Sequence, residues 1–177
     1  MWRLDATLAR LQHWDDLLCV RANRRARQRP VALALQAVSW LGNGVFWYAL
    51  MLALLLADPA GAMLPVLHMV FVGAVGTCCY KMLKRSTLRS RPFEVNPLVT
   101  AGAAVLDRFS FPSGHTLHAI AFSLVACWHY PALWVLLVPF TALTAVSRVA
   151  LGLHYPSDVI AGGALGALIA GASFLIN

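Results

Sequence analysis

Five long apolar stretches alternate with polar breaks along this chain, all but one of them short, and a separate pattern precedes them. From Arg3 to about Arg25, Leu4, Leu8, Leu11, Trp14, Leu17 and Leu18 recur at spacings of three and four, which predicts one amphipathic helix with a charged opposite face. Its apolar stripe either lies in a membrane interface, with Trp2 and Trp14 at headgroup level, or packs on the rest of the molecule. Pro30 ends this element. Residues 31–57 form an apolar run interrupted by Gly42-Asn43-Gly44, which is strong turn chemistry, so the run is either one kinked crossing or two short helices joined at the membrane. Residues 62–83 make a clearer span, and residues 84–112 are the long polar stretch. Three more apolar stretches follow Pro112, at about 114–130, 132–151 and 157–176, parted by the helix-breaking joints His129-Tyr130-Pro131 and His154-Tyr155-Pro156. In the last of them Gly162-Gly163, Gly166 and Gly171 are spaced to let membrane helices approach closely. The expected fold is all-α: a polytopic membrane helical bundle of five or six membrane segments with an N-terminal amphipathic helix. Residues 1–29 form the interfacial helix and basic segment, and residues 30–177 the membrane-embedded domain.

Composition narrows the class. Of 177 residues 60% are hydrophobic and 12% charged, and the mean hydropathy is +0.70; soluble domains carry about 25% charged residues. These values argue against a water-soluble enzyme and exclude a disordered chain. The net charge of +7 is concentrated in two groups flanking apolar runs, Arg21, Arg24, Arg25, Arg27 and Arg29 before the first, and Lys81, Lys84, Arg85, Arg89 and Arg91 after the second. Neither group sits in a nucleic-acid motif, so no nucleic-acid partner is expected. Cys19, Cys78, Cys79 and Cys127 lack metal-site spacing and suggest neither a metal site nor disulfides. Charged residues throughout the first 29 positions leave no apolar core for a cleavable signal peptide, so the N-terminus is expected to be retained.

Ionisable residues placed at helix ends amid apolar sequence are functional candidates, and three stretches collect them. The first runs from Lys84 to Pro92 and carries Lys84 and Arg91, with Pro92 disfavouring helix at Arg91; alone it reads as a basic juxtamembrane loop. The second, Phe111-Pro112-Ser113-Gly114-His115-Thr116, reads as a loop entering a helix with Ser113 as its N-cap. A helix N-terminus favours phosphate, Gly114 permits close approach, and His115 in the first turn can donate a proton. His118 shares its face, but the pair lacks a carboxylate or cysteine in metal spacing and reads as hydrogen-bonded core. The third stretch, Ser147 to Asp158, contains Arg148, His154 and Asp158; an imidazole needs a partner to fix its tautomer, and Asp158 lies four residues past His154 around a proline turn. Asp158 serves equally well as a cap for the last helix.

Taken together, Lys84-x6-Arg91-Pro92, Pro112-Ser113-Gly114-His115 and Ser147-Arg148-x5-His154-x3-Asp158 match the three-part signature of the type 2 phosphatidic acid phosphatase superfamily, which the chain therefore resembles over roughly residues 60–176. That superfamily contains membrane lipid phosphatases, soluble bacterial acid phosphatases and vanadium haloperoxidases; its membrane members usually have six spans. The resemblance implies that His154 attacks phosphorus and becomes phosphorylated, that Asp158 holds it in the attacking tautomer, and that His115 protonates the leaving oxygen. It further implies that Lys84, Arg91 and Arg148, with Ser113 and the Gly114 N–H, neutralise the phosphoryl oxygens, and that water then hydrolyses the phosphohistidine. No metal or cofactor enters this scheme, and a bell-shaped pH profile is expected from His115 as acid and then base.

The expected activity is that of an integral-membrane lipid phosphatase acting on a phosphomonoester or pyrophosphate lipid. Phosphatidylglycerophosphate, phosphatidic acid, polyprenyl (pyro)phosphate and lipid A phosphate all fall in the family's range. The bilayer and the phosphorylated lipid are the expected partners, and the compact Arg- and Ala-rich chain suggests a bacterial inner membrane. Two other readings stand beside it, a lipid phosphotransferase using the same intermediate and a non-enzymatic lipid-phosphate binding or transport protein. The face of the membrane that bears the site follows from whether residues 31–57 cross once or twice; in either case all three motifs share one face.

Overall fold

The structure, a computed structural model, describes residues 2–105 and 107–176, and among them there are helices and no strands. Helix α1 spans Trp2–Ala26, α2 Arg29–Trp40, α3 Phe46–Ala57, α4 Met63–Thr87, α5 Pro92–Val95, α6 Gly114–His129, α7 Trp134–Ala150 and α8 Pro156–Ser173. Among the described residues three helical segments are long and apolar enough to cross a membrane, Arg29–Ala57, Met63–Val95 and Pro131–Ala150. Pro30, Pro131 and Pro156 each stand at a helix start, where the missing N–H costs nothing.

Gly42-Asn43-Gly44 does not reverse the chain. Helices α2 and α3 run on through a wide turn over Leu41–Val45, bent where Asn43 leaves helical geometry and Gly44 adopts φ 114°. The segment is therefore one kinked helix, as the first of the two sequence alternatives has it. Helix α4 outlasts the expected end at residue 83, because Lys84 and Arg85 in its last turn carry charge of the sign that a helix C-terminus favours.

The core lies where α3, α4, α6 and α7 meet, and is filled by Trp47, Met69, Val72, Phe122, Val125 and Leu137. Phe46 stacks on Phe140 with ring centroids 3.8 Å apart. Helix α6 packs most extensively against α8, and its backbone comes so close that a Cβ on Gly166 would lie 2.3 Å from the Leu117 carbonyl oxygen. At Gly162 a Cβ would lie 2.4 Å from the Ser113 oxygen. The small-residue spacing thus sets the seating of the helix that bears Asp158 on the helix that bears His115.

Helix α1 packs by a face beside its apolar stripe, and the stripe itself stays largely outside. Asp15, Cys19, Asn23 and Ala26, one turn apart in succession, are buried, whereas Leu8, Leu11, Trp14 and Leu18 are exposed. The side chains of Trp2 and Leu4 fall outside the described residues. Asn23 donates to the carbonyls of Thr100 (2.9 Å) and Ala150 (3.0 Å) and accepts from the Thr100 N–H (3.0 Å), tying α1 to the polar loop and to the end of α7.

Candidate active site

The three motif stretches converge at one end of the bundle. Lys84 projects from the last turn of α4. Arg91 sits just beyond, in extended geometry (φ −82°, ψ 154°) as its following proline requires. Ser113 caps α6: its side chain accepts from the Thr116 N–H (3.5 Å) and lies 3.0 Å from the Thr116 hydroxyl. His115 follows in the first turn. Arg148 ends α7, His154 occupies the short connection that follows, and Asp158 stands in the first turn of α8. A backbone bond from Ser113 N–H to the Asp158 carbonyl (3.0 Å) locks the starts of α6 and α8 together.

Lys84, Arg91, Gly114, His115, Arg148 and His154 all line one cavity of about 1030 Å³. Toward the middle of the bundle the same cavity is walled by Trp47, Met51, Val70 and Phe122, with the glycines of the α2–α3 kink at its side. It therefore joins a cationic end to an apolar interior. Ser113 and Asp158 lie behind this wall, both fully buried.

The cations are held firmly. Arg91 donates to the Leu153 carbonyl (2.7 Å), which pins the residue before His154, and to the Asp107 carboxylate (2.7 Å) and carbonyl (3.1 Å). Lys84 donates to the same Asp107 oxygen (2.7 Å) and to the Phe109 carbonyl (2.8 Å). Burial pushes the Asp107 carboxyl upward, but the hydrogen bond and charge of Lys84, with the charge of Arg91, outweigh it and hold the group below the usual carboxylate range. Arg148 donates to the Ser39 hydroxyl from one guanidinium nitrogen, while its buried Nε has no partner.

His154 is 1% exposed. Its Nδ1 faces Asp158 Oδ2 at 3.7 Å and has no hydrogen-bond partner. Burial, followed by the charges of Arg148, Arg91 and Lys84, holds its pKa well below the ordinary histidine value, so the ring is neutral at pH 7. A neutral imidazole beside three cations suits a nucleophile approaching an anion. The other oxygen of Asp158 is taken by Arg89 (2.6 Å), and Oδ2 accepts from the Tyr155 N–H (2.8 Å).

Sequence reasoning placed Arg89 in the basic group without singling it out, and missed Asp15 and Asp107. Arg89 sits within the first motif and Asp107 shortly before the second, but nothing in their spacing tells which charge turns inward. Asp15 reaches the site from α1, across 142 positions of chain to its partner Ser157. His118 is hydrogen-bonded as expected, its ring nitrogens 2.9 Å from the Gly114 carbonyl and 3.1 Å from the Thr77 hydroxyl, but it is half-buried and lines the same cavity as His115 and His154. Among the described residues no group of three or more His, Cys, Asp and Glu could hold a metal ion.

The cavity thus gathers three cations and a neutral buried histidine that faces a carboxylate. Residues 65–177 match the PAP2 superfamily model, and the chain belongs to that superfamily; its three apolar helices make it an integral membrane protein. It is 40% identical over 90 residues to decaprenylphosphoryl-5-phosphoribose phosphatase of Mycobacterium tuberculosis, a match covering 50% of this chain and 48% of that one. The chain thus spans about half the length of that relative. With the phosphatase of the same name from Mycolicibacterium smegmatis the identity is 33% over 155 residues, covering 84% of this chain and 81% of the other. The crystal structure of a transmembrane PAP2-type phosphatidylglycerolphosphate phosphatase from Bacillus subtilis superposes with a TM-score of 0.74 over 93% of this chain and 85% of that one, at 24% identity. That likeness establishes the fold.

Proposed function

We propose that the protein is a lipid phosphatase that hydrolyses a phosphomonoester or pyrophosphate lipid through a phosphohistidine on His154. The observation that carries this reading is that Lys84, Arg91, Arg148, His115 and His154 line one and the same cavity, whose remaining wall is largely apolar. The lipid's phosphate would sit among the cations, which cancel charge on the phosphoryl oxygens as it redistributes, and its tail would lie along Trp47, Met51 and Phe122. With Nδ1 turned to Asp158, Nε2 is the ring nitrogen that attacks phosphorus; the P–O bond to the lipid breaks as the P–N bond forms, and His115 supplies a proton to the leaving oxygen. Water then attacks the phosphohistidine, His115 takes a proton from it, and inorganic phosphate leaves with His154 restored. Asp158 stabilises the positive charge that the ring carries while phosphorylated.

In this reading residues 30–177 form the catalytic membrane domain of five segments, with α6 and α8 completing the three long ones. At 1.5 Å per residue their 16 and 18 residues reach most of the way across a hydrocarbon core of about 30 Å. Residues 1–29 lie at the interface on the active-site face, with Leu8, Leu11, Trp14 and Leu18 toward lipid and the arginines toward headgroups. A bacterial inner membrane suits both the relatives and the composition. The test is phosphate release in detergent, with EDTA present, from phosphatidylglycerophosphate, phosphatidic acid, polyprenyl phosphate and pyrophosphate, a polyprenyl-linked phosphoribose and lipid A. Release by the native protein and its loss in His154→Ala supports the reading. Release that survives the substitution overturns the phosphohistidine route, and transfer of phosphate to an added alcohol in place of water would mark a phosphotransferase.

A further inference from the structure

We infer that Asp15 and Arg89 are positioning residues for the nucleophile, so that helix α1, outside the residues matched by the family model, sets the orientation of Asp158 toward His154. The inference rests on the proposed role of His154. Arg89 lies in the loop that follows α4 and is held between two buried carboxylates. One nitrogen, Nη1, donates to Asp158 Oδ1 (2.6 Å) and to the Ser157 hydroxyl (2.8 Å). The other, Nη2, donates to Asp15 Oδ2 (2.8 Å) and to Gln12 Oε1 (2.9 Å). Its guanidinium lies over the Tyr155 ring, 4.1 Å from the centroid, and its carbonyl accepts from the Ser110 N–H (2.8 Å). Asp15 in turn accepts from the Ser157 N–H (3.0 Å) and from the Ser157 hydroxyl. It therefore caps the start of α8 from another helix, at the turn that carries Asp158. One turn further along α1, the Cys19 thiol donates to the His154 carbonyl (3.5 Å).

The arrangement divides the guanidinium fork. An arginine facing a lone carboxylate settles into a two-pronged pair, which here would draw both oxygens of Asp158 away from His154. Asp15 engages one prong, so Arg89 holds Asp158 by Oδ1 alone and Oδ2 stays turned toward Nδ1. Removing the Asp15 charge frees Arg89 to take Asp158 bidentately; removing Arg89 leaves two buried carboxylates facing each other. Both changes misdirect the group that fixes the tautomer of His154, and neither residue lines the phosphate cavity. The loss is therefore expected in turnover and not in substrate affinity.

The test uses the full chain in detergent. Asp15→Asn and Arg89→Gln are expected to lower kcat for phosphate release about tenfold or more, the scale on which outer partners of reacting groups act, with KM within about threefold of native. The double variant should be no worse than the poorer single one, since both act through Asp158, and Asp15→Glu should recover part of the loss. In parallel, nitrogen-15 NMR of labelled histidines, with the His154 signal assigned by its disappearance in His154→Ala, reads the tautomer directly and needs no turnover. The native ring should carry its proton on Nδ1, and Asp15→Asn should diminish that population. Asp15→Asn carries the test alone if Arg89→Gln does not fold. Native kcat and native tautomer in Asp15→Asn overturn the inference, as does a loss that appears wholly in KM. If the native protein releases no phosphate from any lipid, the phosphatase reading fails, and the tautomer still decides whether α1 positions His154.

Discussion

Replacing Asp158 by asparagine keeps the volume and an oxygen to accept from the Tyr155 N–H, and removes the charge that faces His154 on one side and Arg89 on the other. When His154 is phosphorylated its ring becomes cationic, 3.7 Å from Asp158 Oδ2. At an effective dielectric constant of about 20, two unit charges at that separation attract by about 4.5 kcal/mol. Arg89, bound to the other oxygen at 2.6 Å, offsets part of this, and halving it for that reason leaves about 2–3 kcal/mol, or roughly a hundredfold in rate at 1.36 kcal/mol per decade. The charge exists only as the P–N bond forms, so Asp158→Asn should lower kcat about a hundredfold with KM little changed. The assay is steady-state phosphate release in detergent across a range of lipid concentrations. A kcat within about threefold of native would refute the argument that Asp158 supports a charged ring, and a loss confined to KM would place Asp158 in substrate binding instead.

Three further outcomes are expected. Arg148→Lys removes the guanidinium that lines the cavity beside His154; a lysine offers no planar fork, so kcat/KM should fall by about tenfold or more, and an unchanged value would exclude Arg148 from phosphate binding. Gly166→Ala sets a Cβ 2.3 Å from the Leu117 oxygen, forcing α8 from α6 by about 1 Å at a cost of about 1–3 kcal/mol; the thermal midpoint in detergent should drop by several degrees, and an unchanged midpoint would show that the seating of α8 is slack. Because His154 is kept neutral in the fold, the unfolded chain binds the extra proton below its ordinary pKa of about 6.5, so stability should fall as pH drops beneath that value, by up to about 1.4 kcal/mol per unit for this group. Asp107, whose pKa is lowered, acts in the same direction but only below its unfolded value near 3.8, so between pH 6.5 and 5 the slope should be shallower in His154→Gln, and equal slopes would contradict the neutral buried ring.

Much of this molecule was legible because local chemistry dictates it. Pro30, Pro131 and Pro156 mark helix starts, Ser113 caps α6 as its position before a glycine and histidine suggests, and the motif spacing gathers Lys84, Arg91, His115, Arg148 and His154 on one cavity. Gly42-Asn43-Gly44 was ambiguous since the same residues serve a turn or a kink; the packing of Trp47 and Phe140 on the core keeps the helix going. The orientation of α1 defeats the usual rule. A leucine stripe ordinarily turns inward, but here the neighbouring face is the buried one, and Asp15 and Asn23, standing eight residues apart on that face with Cys19 between them, were the signal. Arg89 and Asp107 were hidden for another reason: among clustered like charges, only the folded loop decides which side chain meets which carboxylate.

The central claim is that His154 is phosphorylated by a lipid phosphate bound in the cationic cavity. The most direct measurement is to mix the protein with a lipid carrying radiolabelled phosphate, quench within milliseconds in base, where phosphohistidine survives, and locate the label by peptide mass spectrometry. Label on the peptide containing His154, absent from His154→Ala and discharged on a chase with unlabelled substrate, is the predicted result; turnover with no label on that histidine, or label that persists in His154→Ala, would contradict the account.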